Sequence, residues 1–261
     1  MRRRKRRRQV FASESSLCSA FLEALKRDYD GKWVAYAETE DWDILLVRKR
    51  DGFQIGIQAK LALNIGVINQ CLEYGQTDCE VGPDCRALLV PAGCGQSFQV
   101  ICQYIGMTII SVLPEKERIV PGLPGPNTRS PNSPWHEWCP TARHPLPTYV
   151  PDVVAGASAP VRLTLWKIKA LKIAALLELR GSVSRADFKH LGLDPRRWTS
   201  RDGWLHVVRE GYVTSKRTPK FAEQHPVVYS QIKTDFHKWA PPQPERQEGL
   251  GATLCLQTTC K

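Results

Sequence analysis

A proline-rich segment divides the chain into two patterned halves. Residues 114–160 contain eleven of the 19 prolines in the 261-residue sequence, and the apolar periodicity of the flanking segments stops there. Proline fixes φ and lacks a backbone donor, so such a stretch neither continues a helix nor lies inside a sheet. We therefore predict five parts: a disordered basic arm at 1–11, a domain at 12–113, a linker at 114–160, a second domain at 161–240 and a disordered tail at 241–261.

The basic charge lies on both sides of an acidic middle. The net charge is +11, yet residues 9–159 hold 12 basic and 17 acidic residues, whereas residues 160–240 hold 16 basic and 7 acidic residues. Residues 2–8 are all arginine or lysine. This distribution is typical of a protein that holds a polyanion, and a merely solubilising charge pattern is the alternative.

Neither a membrane span nor a signal peptide is indicated by the sequence. No apolar run approaches the roughly 18 residues of a spanning helix, and the basic arm is followed by the polar run 13–16 rather than by an apolar segment. We expect an intracellular protein of the cytoplasm, nucleoid or nucleus that is not secreted.

The first patterned half predicts an α/β (α+β) fold. Ser13 can cap a helix whose inward face carries Leu17, Phe21 and Leu25. Strand-like and helix-like runs then alternate in the order α-β-β-β-α-β-α-β. The strands are expected at 33–37, 42–48, 53–61, 86–90 and 108–112, and the later helices at 64–74 and 96–105. This order predicts a mixed sheet flanked by helices.

Polar residues lie inside two of these apolar strands. Asp43 is in the second strand, and Gln58 and Lys60 alternate in the third, so the last two are expected on one face. Burying an ammonium group is costly unless it is paired, so Lys60 requires a carboxylate or a metal-bound water nearby. Carboxylate and amide oxygens can hold Mg²⁺, and a lysine beside them can assist the attacking water or stabilise phosphate charge.

The pattern Asp43-x14-Gln58-x-Lys60, on consecutive strands after an N-terminal helix, resembles the PD-(D/E)xK nuclease superfamily. The similarity covers roughly residues 12–113 and is closest to the branch of Holliday-junction-resolvase, VRR and RecB nucleases. It implies a restriction-endonuclease-like fold and hydrolysis of phosphodiester bonds with Mg²⁺ or Mn²⁺. In that family's terms Asp43, Gln58 and Lys60 are the catalytic residues.

The resemblance implies further roles and also has departures. Glu14 opens the first helix, where related nucleases carry a metal-binding Glu, so Glu14, Asp43 and Gln58 are the implied metal ligands. The pair Gln70-x3-Tyr74 resembles a substrate-binding element of RecB-type nucleases. A tryptophan precedes Asp43 where the family has Pro or Gly, and Gln58 supplies no charge.

Two other interpretations of this half remain open. A nuclease fold without turnover could serve as a DNA-binding or protein-binding regulator or inhibitor, and the uncharged Gln58 favours that alternative. The second is an unrelated sheet in which Asp43 and Lys60 form one buried salt bridge.

The second half resembles a winged helix, a family used mostly for DNA binding. An amphipathic helix at 165–180 is followed by a shorter one at 184–191 and by a third expected at 195–210. Two strands are expected at 212–214 and 227–229, around a basic loop. Duplex or branched DNA is the expected partner, with no membrane, and a homodimer remains open. The predicted DNA-binding residues are Arg196, Arg197, Thr199, Ser200, Arg201, Lys216, Arg217 and Lys220.

Overall fold

The structure is a computed structural model that describes residues 11–73, 81–94, 98–113, 118–125, 133–157, 162–200, 203–209 and 211–242. It is a mixed α/β fold, as predicted, with one six-stranded sheet and a separate helical core. Within these ranges no helix has the length and apolar composition that crossing a membrane requires.

The six strands of the sheet follow each other in chain order. The first three strands are antiparallel neighbours, the third to fifth are parallel, and the sixth is antiparallel to the fifth. The first five confirm the predicted strands, whereas the sixth lies in the proline-rich segment and was not expected. Their bounds are β1 Trp33–Thr39, β2 Trp42–Arg48, β3 Gln54–Ala59, β4 Cys85–Leu89, β5 Met107–Leu113 and β6 Arg118–Val120.

Helices cover both faces of the sheet, namely α1 Glu14–Asp28, α2 Ile65–Glu73 and α3 Gln99–Tyr104. Helix α1 begins at a capping box, in which the Ser13 hydroxyl accepts the amide N–H of Ser16 at 3.1 Å. Its apolar face packs against β3, β5 and β6 in one core cluster. Helices α2 and α3 contribute to a second cluster with β4 and β5, and they form the crossovers that parallel strands need.

The proline-rich segment packs against both cores. Trp135 is buried and donates its indole N–H to the carbonyl of Gly122 at 2.8 Å. Ala155 is buried with the sheet, whereas Tyr149 is buried in the C-terminal core. The described parts of the segment therefore contribute buried residues to both cores.

The C-terminal part is built around helix α4, Leu165–Arg180, which begins after the capping Thr164 and ends at Gly181. The predicted helices at 165–180 and 184–191 and the strand at 212–214 are confirmed. The remaining elements are α5 Arg185–His190, a 3-10 helix Pro195–Arg197, β7 Leu205–Val208, β8 Gly211–Thr214, α6 Phe221–Gln224, α7 Pro226–Thr234 and α8 Phe236–Trp239.

The helix expected over 195–210 is wrong. Residues 195–197 form one 3-10 turn, and the chain then folds back so that the Leu205 N–H donates to the Trp198 carbonyl at 2.9 Å. Gly203 allows this turn, because a Cβ there would overlap the carbonyl of Trp198. Burial of both Trp198 and Leu205 in one core decides the conformation over helix propensity.

The strand expected over 227–229 is also wrong, since these residues lie in α7. The two valines indicated a strand, but Pro226 occupies the first turn, where its missing N–H costs nothing. The carboxylate of Asp152 accepts the N–H groups of Val227 at 2.8 Å and Val228 at 3.2 Å. A residue of the predicted linker thus caps this helix. The hairpin is β7–β8 instead, and Lys216 follows it.

Candidate active site at the carboxyl end of strand β3

Three of the predicted site residues meet where β3 ends. Asp43 lies in β2, Lys60 directly follows β3, and Glu14 is the first residue of α1. Lys60 Nζ is 3.1 Å from Glu14 Oε2, and Asp43 Oδ2 accepts the N–H of Ala59 at 2.7 Å. The fold therefore gives Lys60 the carboxylate partner that its place in an apolar strand requires.

Gln58 makes its hydrogen bond to the turn between β1 and β2. Its side chain is buried, and Nε2 donates to the backbone carbonyl of Asp41 at 2.6 Å, so the amide bridges β3 to the β1–β2 turn. Lys60 instead contacts α1, so the two side chains have different neighbours. With Nε2 used in this way, Oε1 is the atom of Gln58 that could act as a ligand.

Glu38 is a third acidic group at the site. Its side chain is buried at the end of β1, and its Oε1 accepts the N–H of Gly156 at 2.8 Å. Its φ of 49° is in the left-handed region, as are those of Glu40 and Asp41 in the turn that follows. Such conformations are costly for residues other than glycine and concentrate at functional sites. The crowding of acids around Asp43 in the sequence was the only signal for Glu38.

The electrostatics of the site reflect buried negative charge. Burial raises the pKa of Asp43, against the opposing effects of the Ala59 N–H and the Lys60 charge. Burial, with the nearby Asp43 charge, likewise raises the pKa of Glu38. Burial together with these acids raises the pKa of the Cys18 thiol to about 12. The positive charge near Asp43 and Glu38 therefore does not offset the cost of burying their carboxylates.

Lys60 remains a cation in this environment. Burial by itself lowers its pKa, but the hydrogen bond that Lys60 donates to Glu14 and the charges of Asp43 and Glu14 outweigh that effect and raise it. A lysine with a raised pKa is a poor proton acceptor near neutral pH. It is suited to stabilising negative charge rather than to removing a proton.

Part of the proline-rich segment lies against this group. A Cβ on Gly156 would lie 2.9 Å from Cys18 Sγ, so the backbone there approaches α1 as closely as a glycine allows. Farther along, Arg162 Nη1 is 2.8 Å from Asp41 Oδ1. Gly156 from this segment and Arg162 just after it therefore both contact acidic residues of the site.

The donor atoms available for a metal are few. Among the residues that the structure describes, no three or more His, Cys, Asp or Glu side chains form a group that could hold a metal ion. Mg²⁺ commonly uses only one or two carboxylates and keeps several waters. Asp43 and Glu14, with Gln58 Oε1, fit that requirement in chemistry and number.

The other predicted site residues lie away from the Lys60 group or outside the described residues. The side chain of Gln70, and all of Tyr74 and Arg201, lie outside the described residues. Thr199 is partly buried, and its hydroxyl donates to the Pro195 carbonyl at 3.1 Å. The remaining predicted DNA-binding residues are exposed, namely Arg196, Arg197, Ser200, Lys216, Arg217 and Lys220.

A tryptophan pair brings the two basic segments together. The rings of Trp198 and Trp204 are 5.1 Å apart. Trp198 directly follows Arg197, and the Trp204 carbonyl accepts bonds from Ser215 N–H and the Thr218 hydroxyl. Residues 196–200 and 215–218 are therefore joined through one aromatic core, although the helix that was expected to carry the first group is absent.

Comparison with protein-family models, curated proteins and solved structures finds no match to this chain. The function is therefore argued from the site itself.

Proposed function

We propose that the protein is a metal-dependent nuclease that hydrolyses phosphodiester bonds in DNA and holds the DNA with its basic C-terminal region. The observation that carries this proposal is the 3.1 Å pair of Lys60 and Glu14 beside the buried carboxylate of Asp43. A cation and two acids from three separate elements at one strand end are what phosphodiester hydrolysis needs.

Asp43 and Glu14, with Gln58 Oε1, are the residues that would hold Mg²⁺ or Mn²⁺. Hard oxygen donors in this number suit either ion, and the raised pKa of Asp43 marks a carboxylate that a cation would stabilise. When bound, the ion supplies charge neutralisation at the scissile phosphate and a water of lowered pKa.

The protein's own residues position and polarise the phosphate. The ammonium of Lys60 places a fixed positive charge where the pentacovalent transition state gains negative charge. Glu14 orients that ammonium through their ion pair. Asp43 is held by the Ala59 N–H, so its carboxylate keeps a fixed direction.

The C-terminal region supplies sequence-independent binding of the substrate. Arg196 and Arg197 are exposed on one segment, and Lys216, Arg217 and Lys220 on the other. Arginine and lysine neutralise phosphates and release counterions, which supplies most of non-specific affinity. The acidic sheet region would otherwise repel the DNA backbone.

A catalytically inert DNA-binding or protein-binding regulator is the second candidate. It is favoured by Gln58, which uses its amide N–H within the protein, and by the close approach of Gly156 to α1. Such a protein would bind DNA equally well with and without a divalent cation and would leave it intact.

Cleavage of supercoiled plasmid separates these candidates. Incubation with Mg²⁺ or Mn²⁺ is compared with incubation in EDTA, for the wild type, Asp43→Asn and the exposed control Asp28→Asn. We expect cutting only with the cation, a loss of about 100-fold or more in Asp43→Asn and none in Asp28→Asn. DNA binding without cutting by the folded wild type would support the inert regulator and refute the nuclease.

A further inference from the structure

Trp166 is a partly exposed aromatic residue of the C-terminal region. It lies in the first turn of α4, and 39% of its surface is accessible, whereas Trp198 is 3% accessible. Tryptophan is among the residues that a fold most often buries at least in part. A partly open tryptophan at this place therefore calls for a reason in addition to packing.

The ring of Trp166 packs against two other tryptophan rings. Its centroid lies 5.7 Å from the Trp198 ring and 5.8 Å from the Trp204 ring. Those two rings in turn contact Phe188 and Phe221, at 5.4 Å and 5.2 Å. An aromatic side chain supported in this way offers a preformed surface and loses little conformational entropy on binding.

The segments beside this aromatic cluster are basic. Every charged residue within 195–200 and within 215–220 is arginine or lysine. The first segment contains Trp198 itself, and the second is bonded to the Trp204 carbonyl. Trp166 is followed in α4 by Lys167 and Lys169. Two of these cations, Arg196 and Lys220, also pair with Asp194 and Glu223 next to the segments. A partly exposed ring that packs on residues of two basic segments is complementary to a partner that carries both flat apolar rings and phosphate charge.

We infer that Trp166 is a stacking platform for an unpaired DNA base, so that the substrate class is DNA with single-stranded or unpaired nucleotides. Bases within a duplex are already stacked on their neighbours, whereas an unpaired base has a free face, and every base has a π-face that can stack on tryptophan. The cations of the two flanking segments then track the backbone on each side. This inference rests on the proposed DNA binding of the region but not on cleavage.

Binding of labelled oligonucleotides in EDTA tests the inference. The full chain is titrated, by fluorescence anisotropy, against single-stranded DNA, duplex DNA and single-stranded RNA of about 20 nucleotides. We expect Trp166→Ala to weaken single-strand DNA binding about tenfold, the loss typical of one stacked base, and to change duplex binding less than about twofold. Trp166→Phe keeps a π-face and should retain most of the affinity.

The neighbouring Leu165 provides a matched control. It is 69% accessible on the same helix turn but has no aromatic face, so Leu165→Ala should leave single-strand binding within about twofold of the wild type. Equal losses on single-stranded and duplex DNA in Trp166→Ala, or no loss at all, would overturn the platform. Tighter Trp166-dependent binding to RNA than to DNA would overturn the assignment to DNA.

The binding titration and the cleavage assay test the Trp166 platform and the nuclease activity separately. Without a cation the binding titration is independent of turnover. A Trp166-dependent preference for single strands in a protein that never cuts DNA would support the platform and refute only the nuclease. Metal-dependent cutting together with unchanged binding by Trp166→Ala would refute only the platform.

Discussion

The sheet region and the C-terminal region differ in where they place their charges. Glu38, Arg48 and Arg86 are buried charged residues of the sheet region, and the neutral amide of Gln58 is buried there too. The C-terminal region buries a network of aromatic rings, and its buried Asp187 and His225 are bonded to Arg180 and Asp152. Its predicted DNA-binding arginines and lysines that the structure describes lie on the surface. Chemistry on a bound group needs partly desolvated charge, whereas holding a polyanion needs only exposed charge. The contrast is what the proposed division of labour requires.

The buried charges of the sheet region are themselves of two kinds. Arg48 is fully used, because it forms two 2.8 Å bonds to the Asp51 carboxylate and two bonds to backbone carbonyls. Asp43 and Glu38 are buried with too little positive charge, as the rise in their pKa values indicates. A satisfied buried ion serves the fold, and an under-compensated one is a candidate for function.

Truncating a buried ring of the aromatic core should change the stability more than removing the charge of Asp43 does. Trp198 is buried and contacts the rings of Trp166, Phe188 and Trp204. We expect Trp198→Ala to lower the free energy of unfolding by about 3–5 kcal/mol, measured by urea denaturation followed by circular dichroism. Trp166→Ala is the control and should cost about 1 kcal/mol or less, since that ring is partly exposed. Similar losses in the two variants would contradict the view that the buried ring holds this region together.

Removing the charge of Asp43 should raise the stability slightly, whereas Trp198→Ala lowers it. Because burial raises the pKa of this carboxyl in the folded state, wild-type stability falls as pH rises through the interval between its ordinary and its raised pKa. Asp43→Asn keeps an oxygen for the Ala59 N–H, so it should raise the melting temperature by up to about 3 °C at neutral pH. The gain should vanish at low pH, where the wild-type carboxyl is also neutral.

Thermal denaturation of both proteins between about pH 4 and pH 8 measures this difference. Asp28→Asn serves as the control, because Asp28 lies at the exposed end of α1 beside Arg27. A variant that is less stable than the wild type at neutral pH would show that Asp43 is a structural ion, like Arg48, and would remove the distinction between the two kinds of buried charge.

The sheet could be predicted from the sequence because its signals are local. The strands around Asp43 and Lys60 are apolar runs of strand length bounded by turn residues, which is the pattern of strands buried on both faces. The meeting of Glu14 with Lys60 was expected only through a resemblance, since no periodicity reports a contact between residues 46 positions apart.

The C-terminal elements were harder because tertiary contacts decide them. The helix expected from Pro195 yields to the burial of Trp198 and Leu205, and the strand expected at 227–229 becomes a helix capped by Asp152 from a distant segment. Trp166 was missed for a similar reason, because its exposure depends on how the neighbouring rings pack. Short segments carry too little periodic signal to resist such contacts.

The single-turnover cleavage rate of a Lys60 variant tests the proposed role of this lysine. Rates on plasmid DNA with Mg²⁺ or Mn²⁺ are compared for the wild type, Lys60→Ala and Lys26→Ala, the last being a lysine in the final turn of α1. The proposed role of Lys60 in stabilising transition-state charge predicts a loss of about 100-fold or more in Lys60→Ala alone, with DNA binding in EDTA retained. Cutting by Lys60→Ala at the wild-type rate would contradict the account and place the active site elsewhere.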